Sequence, residues 1–347
     1  MKFWSGKRVL VTGHTGFKGS WLTFWLHEMG ADVHGIGLEP STNPNAFTAM
    51  GIESRCKHHI QDIREFPKLK ALVTKINPEI VFHMAAQPLV RLSYSEPLET
   101  YATNVMGTAN LMMALRDCPA LKSAVIVTSD KCYENREWSR AYNESDALGG
   151  HDPYSSSKGC TEIVTSSFRR SFFDGARIAS GRAGNVIGGG DWSGDRLIPD
   201  IVRAMLSGKP LEIRYPKSIR PWQHVLMPLH GYLTLAESLH GEPAKYSEAF
   251  NFAPEDSDCV TVETIITKFG EAWGKKVPWN LIPVPQPHEA HFLKLDAGKA
   301  KADLGWRPAW NLERALAATA VWYRLFHENP KSIVELTRKQ IAEYTQA

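Results

Sequence analysis

Lys7–Ser20, KRVLVTGHTGFKGS, is the stretch whose reading decides the fold. Its first half is a short apolar run rich in β-formers. Gly13, Gly16 and Gly19 follow at once, and SWLTFWLHEMG continues with helical spacing to a closing Gly30. A strand, a glycine turn and a helix in that order are what a dinucleotide pyrophosphate site requires. Gly13 permits the tight turn, Gly16 lets backbone approach the phosphates, and Gly19 lets the helix pack closely. Thr15 and Phe17 complete the turn, and the helix N-terminus turns its N–H groups and positive dipole end toward the anion. No Gly-Lys-Ser/Thr ends the loop, which excludes a Walker-type phosphate site.

Outward from this unit the same rhythm repeats. ADVHGIGL, SRCKHHIQDI, PEIVFHMAA, SAVIVTS and ARIASGRAGNVIG read as strands two to six, the third ending at Asp62. FPKLKALVTKI, ETYATNVMGTANLMMALRDC and PYSSSKGCTEIVTSSFRRSFF read as helices between them. Alternating strands and helices imply right-handed crossovers and an α/β fold. Its core is a Rossmann-type, doubly wound parallel sheet covered on both faces. After about Gly188 the rhythm breaks and Gly, Pro, Trp and Arg become frequent. The expected division is a dinucleotide-binding domain over 1–184, with a returning segment at about 225–253, and a smaller mixed α/β substrate domain over 185–224 and 254–347.

The bulk composition limits the function classes. The chain has 347 residues, 43% of them hydrophobic and 22% charged, as in ordinary soluble domains. A formal charge of +3 is too small and scattered for a nucleic-acid partner. Cys56, Cys118, Cys132, Cys160 and Cys259 are odd in number and never form a Cys-x-x-Cys pair, which speaks for a reducing compartment and against a zinc ribbon. No run approaches the roughly 18 apolar residues of a membrane span. The expectation is a soluble, cytoplasmic protein without a metal. His288 and His291 have a ligand-like spacing but no third ligand nearby, and His83 reads as a core histidine.

Further residues complete the cofactor site. Glu39, about 20 residues past the loop, stands where an acid binds ribose hydroxyls. No basic residue crowds that strand end, so NAD is expected rather than NADP. Asp62 and Ile63 are the candidate clamp for the adenine, and Ala85 and Ala86 end the fourth strand in the same crevice.

The fifth strand raises a separate question. In VIVTSDKCYENREW, Val125 to Trp138, an apolar run stops abruptly at Ser129, Asp130 and Lys131. Tyr154 and Lys158 follow, four apart on one face of the next helix. An ammonium there is expected to draw the phenol toward neutrality. Such a tyrosine takes a proton from a hydroxyl while hydride leaves the same carbon, and Ser129 orients that hydroxyl.

TGHTGFKG, HMAAQPLVRLSYSEPLETYATNVMGTANLM, YSSSK and GRAGNVIGGGDW together resemble the extended short-chain dehydrogenase/reductase family over nearly the whole chain. More narrowly, VTSDKCYENREW, GGHDPYSSSKGCTE, RPWQHV and LGWRPAW are similar to its 4,6-dehydratases that act on CDP-glucose. The resemblance implies three linked steps. Tyr154 deprotonates the glucose 4-hydroxyl as hydride passes to NAD. The 4-ketone then acidifies the C5 proton, and water leaves across C5 and C6. Finally the hydride returns to C6. Asp130 is the expected acid, which requires that it hold a proton near neutrality. Dehydratases acting on dTDP- or UDP-sugars show Thr-Asp-Glu here, whereas this chain has Ser-Asp-Lys. Lys131 is therefore either the C5 base, if neutral, or a cation that stabilises the enolate.

The resemblance also implies a nucleotide-sugar site. Arg220 suits a bidentate phosphate contact. Asn185, just after Arg182, is a donor to the pyrophosphate or sugar. Tyr215 is placed to stack on the base or ribose, Leu197 to line the site, and Gln87 and Arg91 to border the hexose. A homodimer or homotetramer is expected, with helices around 100–116 and 154–172 at the interface. Another nucleotide-sugar 4,6-dehydratase, a 4-epimerase and a non-catalytic NAD-binding regulator are the alternative readings. An epimerase needs no acid–base pair for water loss, and a regulator needs no Ser129, Tyr154 and Lys158.

Overall fold

The computed structural model describes residues 2–174, 176–282 and 292–347. Six strands alternate with helices in the first half: β1 (Arg8–Thr12), β2 (Asp32–Gly37), β3 (Lys57–Ile60), β4 (Ile80–His83), β5 (Ser123–Val127) and β6 (Ile178–Ala183). Four short strands follow: β7 (Val186–Ile187), β8 (Leu211–Ile213), β9 (Ile219–Pro221) and β10 (Gln223–His224). The helix Leu226–Gly241 then leads to β11 (Ala249–Phe252), and the chain continues with β12 (Cys259–Thr261) and β13 (Trp279–Leu281).

Seven strands form one sheet in the order β11-β6-β5-β4-β1-β2-β3, and all its neighbours pair in parallel. The chain leaves β1 toward β2 and β3 on one side and crosses back to β4, β5 and β6 on the other. Strand order therefore reverses between β1 and β4, and a crevice opens there above the carboxyl ends of the strands. Side-chain alternation sends Val9, Val11, Phe82 and Val125 into one core and Leu10, Val81, Ala124 and Ile126 into the other. All eight are 0% exposed, and burying each stabilises the fold by about 1.5–3 kcal/mol for the larger side chains. Coverage of both faces is why these strands read as continuous apolar runs.

Three elements differ from the sequence expectation. The third strand stops at Ile60 rather than Asp62. The Gln61 N–H still reaches Gly37 O at 2.9 Å, but the Asp62 carboxylate then accepts from the Arg64 N–H at 2.8 Å and turns the chain. The sixth strand breaks after Ala183, because Asn185 and Ile187 change partner and accept from the N–H groups of Gln223 and Val225. The long helix runs over 97–115 but widens to a π turn at Ala102–Met106. That turn carries the buried Asn104, which accepts from the Gln87 N–H and donates to Ser157 Oγ, both at 2.8 Å.

After β6 the chain alternates between the sheet and the crevice wall. β7 pairs with β10, β8 with β13 and β9 with β12, so pieces from 186–224 and 259–281 are joined. The helix Leu226–Gly241 packs against β5 and β6, and β11 pairs with β6. His83 is a core histidine, bonded to the Thr12 and Thr108 hydroxyls at 2.7 and 2.9 Å and pushed down to about 3 by burial. Among the described residues no helix is long and apolar enough to cross a membrane, and no three His, Cys, Asp or Glu groups are placed to hold a metal. His288 and His291 lie outside the described residues.

Candidate active site

The glycine loop closes the amino-proximal wall. Gly13 has φ +74°, and a Cβ there would stand 2.7 Å from Ala85 N. A Cβ at Gly19 would stand 2.0 Å from Gly13 O, so only glycine lets the helix Phe17–Glu28 begin this close to β1. Gly16 caps that helix without a side-chain hydrogen bond, which leaves its first N–H groups for an anion. Thr15 Oγ1 donates to Leu38 O at 2.8 Å and ties the loop to the end of β2. Gly13, Thr15, Gly16, Phe17, Gly19 and Ala85 thus stand together, with Ala86 next along the chain. This cradle, narrowed to backbone by its glycines, fits a dinucleotide pyrophosphate.

The remaining candidates for that ligand differ in setting. Glu39 is exposed, two residues beyond β2. The Asp62 carboxylate is engaged by the Arg64 guanidinium, which holds it below the usual carboxylate range. The Ile63 side chain is buried in the second core, against the helical run over 97–115.

A crevice of about 340 Å³ lies above the carboxyl ends of β5 and β6, within the usual size of small-molecule sites. Ser129, Asp130, Lys131 and Tyr154 line it, as do Arg91, Asn185, Leu197, Tyr215 and Arg220. Gln87 stands back from it. Its amide donates to Leu89 O and Thr100 Oγ1, so that side chain is spent on holding its own loop. Arg91 reaches Asp195 across the rim at 2.9 Å. Arg182 is turned away from the crevice and paired with Glu162 at 2.9 Å.

The strand end is built from local hydrogen bonds. β5 stops at Val127, and Ser129 caps the short turn Asp130–Cys132 by accepting from the Lys131 N–H at 3.2 Å. Ser129 Oγ donates to Asp130 Oδ1 at 2.8 Å. Asp130 is 3% exposed, yet its Oδ2 has no hydrogen-bond partner among the described residues. A buried oxygen left unpaired is costly, and a donor from a bound ligand removes that cost. Lys131 is half-buried on the same wall.

Tyr154 and Lys158 rise from the helix Pro153–Phe172, which Asp152 caps through the Ser155 N–H. The expectation that the ammonium draws the phenol toward neutrality does not hold in this structure. Burial pushes Tyr154 up to about 12, and the Ser129 hydroxyl offsets only part of that. Lys158 is itself pushed down to about 8 by burial, against the attraction of Glu162, and its Nζ donates to Val127 O at 3.3 Å. Spacing shows which face the two residues share, but not how deeply that face is buried.

One amine escaped the sequence reading. Lys18, inside the glycine loop, also lines the crevice. Burial and the nearby Arg196 and Lys158 push it down to about 7, while Asp130 and Asp191 pull it up. Its signal was a lysine in GFKG, where backbone and small residues otherwise meet the phosphates.

A phenol, a hydroxyl, a buried carboxyl and two amines therefore share one crevice beside a dinucleotide cradle, with the Lys158 amine buried behind the phenol. That set suits oxidation of a carbinol coupled to proton transfers at the adjoining carbons. Comparison with known proteins agrees. The chain is 51% identical, over 99% of its length and 98% of the relative's, to the CDP-glucose 4,6-dehydratase of Salmonella typhimurium. A dTDP-glucose 4,6-dehydratase of Streptomyces venezuelae, solved with NAD bound, superposes with a TM-score of 0.79 at 25% identity, covering 95% of this chain and 99% of that one. A UDP-glucose 4-epimerase of Thermotoga maritima shares the fold with a TM-score of 0.81 at 24% identity, over 91% and 98% of the two chains. Residues 10–319, nearly the whole of both sheet and crevice, match the GDP-mannose 4,6 dehydratase family model, and the chain belongs to that family.

Proposed function

We propose that this protein is an NAD-dependent hydro-lyase that converts CDP-glucose to CDP-4-dehydro-6-deoxyglucose and water. The observation that carries this reading is the wall itself: Ser129, Asp130, Lys131 and Tyr154 line one crevice, and Asp130 keeps a buried oxygen without a partner among the described residues. A relative 51% identical along the whole chain bears that activity as its name.

Each side chain has a task. Tyr154 takes the proton of the 4-hydroxyl, and Ser129 orients that hydroxyl. Bound NAD supplies the acceptor for the C4 hydride and its return to C6. Once C4 is a ketone, Lys131 removes the acidified C5 proton in its neutral form. Asp130 donates a proton to the departing 6-hydroxyl, so water leaves, and C5 regains a proton once the hydride has reached C6. Gly13, Thr15, Gly16, Phe17, Gly19, Ala85 and Ala86 hold the cofactor, with Glu39, Asp62 and Ile63 at its adenosine end. Arg220, Asn185, Leu197, Tyr215 and Arg91 hold the nucleotide sugar.

In this reading 1–184 with 225–253 carries the cofactor, and 185–224 with 254–347 carries the sugar nucleotide. Leu98, Met106 and Ile163 are exposed on the helical segments over 97–115 and 153–172, and a second copy of this chain covers them. The protein works in the cytoplasm, without metal or nucleic acid. Assay of the purified protein with CDP-, dTDP-, UDP- and GDP-glucose tests the substrate: CDP-glucose is consumed fastest, and a preference for another base contradicts the assignment.

A further inference from the structure

The stretch that carries Asp130 and Lys131 is tied at both ends to one buried ion pair. Thr128, just before Ser129, donates its hydroxyl to Glu162 Oε1 at 2.5 Å. Tyr133, just after the turn, accepts at its phenol oxygen from Arg182 Nη1 at 2.7 Å. Glu162 and Arg182 meet twice, Nε to Oε1 at 3.0 Å and Nη2 to Oε2 at 2.9 Å, and each side chain is only 4% exposed. Ser180 Oγ adds a bond to Oε2 at 2.7 Å, and the Tyr133 hydroxyl donates onward to Asn251 Oδ1 at 2.8 Å in β11.

Stability alone does not explain this arrangement. The cost of desolvating a buried ion pair cancels much of its attraction, and apolar residues of the same volume often serve as well. Apolar packing cannot, however, receive two polar side chains at fixed points. The ion pair can: its carboxylate accepts from Thr128, and the planar guanidinium places two nitrogens on that carboxylate and a third on the Tyr133 phenol. Between the two anchors the turn has few bonds of its own, and two of them are long: Lys131 N to Ser129 Oγ at 3.2 Å and Cys132 N to Ser129 O at 3.3 Å. Glu162 also shares the helix Pro153–Phe172 with Tyr154 and Lys158.

We propose that the Glu162–Arg182 pair is a positioning device for the elimination of water: by gripping Thr128 and Tyr133 it fixes where Asp130 and Lys131 stand relative to Tyr154. Neither charged residue touches the reacting atoms. The pair sets the register between the helix that serves oxidation and the turn that serves dehydration. This inference rests on the dehydratase reading of the crevice.

The test leaves the ion pair intact and releases each anchor in turn, with Thr128→Val and Tyr133→Phe in the full-length protein. Single-turnover reaction with NAD and CDP-glucose follows oxidation by the absorbance of reduced nicotinamide and elimination by the appearance of the 4-keto-6-deoxy sugar. Elimination falls about tenfold or more in each variant, while oxidation changes by less than about threefold and KM holds. Thr128→Ser, which keeps the hydroxyl, restores the wild-type partition. A parallel fall of both steps, or an unchanged partition in both variants, overturns the proposal. An active wild type with unpartitioned variants sinks this inference alone, whereas a wild type that dehydrates none of the four nucleotide sugars sinks the dehydratase reading beneath it.

Discussion

Gly184 stands so close to Asp130 that a Cβ added there would lie 3.0 Å from the bare Oδ2 and 2.6 Å from Pro221 Cγ. The bend after β6 thus keeps a gap just wide enough for the Asp130 carboxyl. Gly184→Ala should fold but lose about 1–3 kcal/mol of stability through overpacking. It should also slow dehydration about tenfold or more by displacing Asp130. Thermal melts and product assays read the two effects separately. Dehydration at the wild-type rate would show that Asp130 tolerates displacement.

Asp130→Asn keeps the size of the side chain and removes its acidity. Oxidation at C4 and solvent exchange at C5 should persist within about threefold, while water loss falls about a hundredfold or more. The check is accumulation of the 4-keto sugar that still bears its 6-hydroxyl. Equal loss of all three steps would take Asp130 out of the acid role.

Lys131→Met removes the amine and retains the length of the stem. In deuterated water the variant should oxidise C4 but incorporate deuterium at C5 at least about tenfold more slowly than wild type. Unchanged incorporation would assign the C5 proton to another base, with Lys18, on the same wall, the next to test.

Lys158 gives a pH prediction whose sign follows from burial. Its folded value of about 8 lies below its ordinary 10.5. The effect is on stability. Between about 8 and 10.5 the unfolded chain holds a proton that the folded chain has released, so this group's contribution to stability rises with pH across that window. Below about 8 both states are protonated and the penalty of burying the cation is complete. Melting of wild type against Lys158→Met across this range reads the change.

Much of this was legible in the sequence, for a local reason. The strands of the sheet announce themselves by apolar runs, the cradle by glycines three apart, and the crevice wall by polar residues at one strand end and one helix start. Ser129, Asp130, Lys131 and Tyr154 meet because β5 and the following helix are adjacent in the chain. What stayed hidden depends on distant partners. The anchors of the turn join Thr128 to Glu162 across 34 positions and Tyr133 to Arg182 across 49, and no periodicity links them. Arg182 stands three positions before Asn185, yet its side chain is turned from the crevice onto Glu162, a partner 20 positions away. The Tyr154 phenol misled for a similar reason, since helix spacing carries no information about depth.

The central claim is that oxidation at C4 serves the expulsion of water from C5 and C6. Mass spectrometry of the product formed from CDP-glucose in deuterated water tests it most directly. The account predicts a sugar nucleotide lighter than the substrate by one water and carrying solvent deuterium at C5. A product isomeric with CDP-glucose, with its 6-hydroxyl in place and no deuterium at C5, would mean that the crevice only inverts C4, and would contradict it.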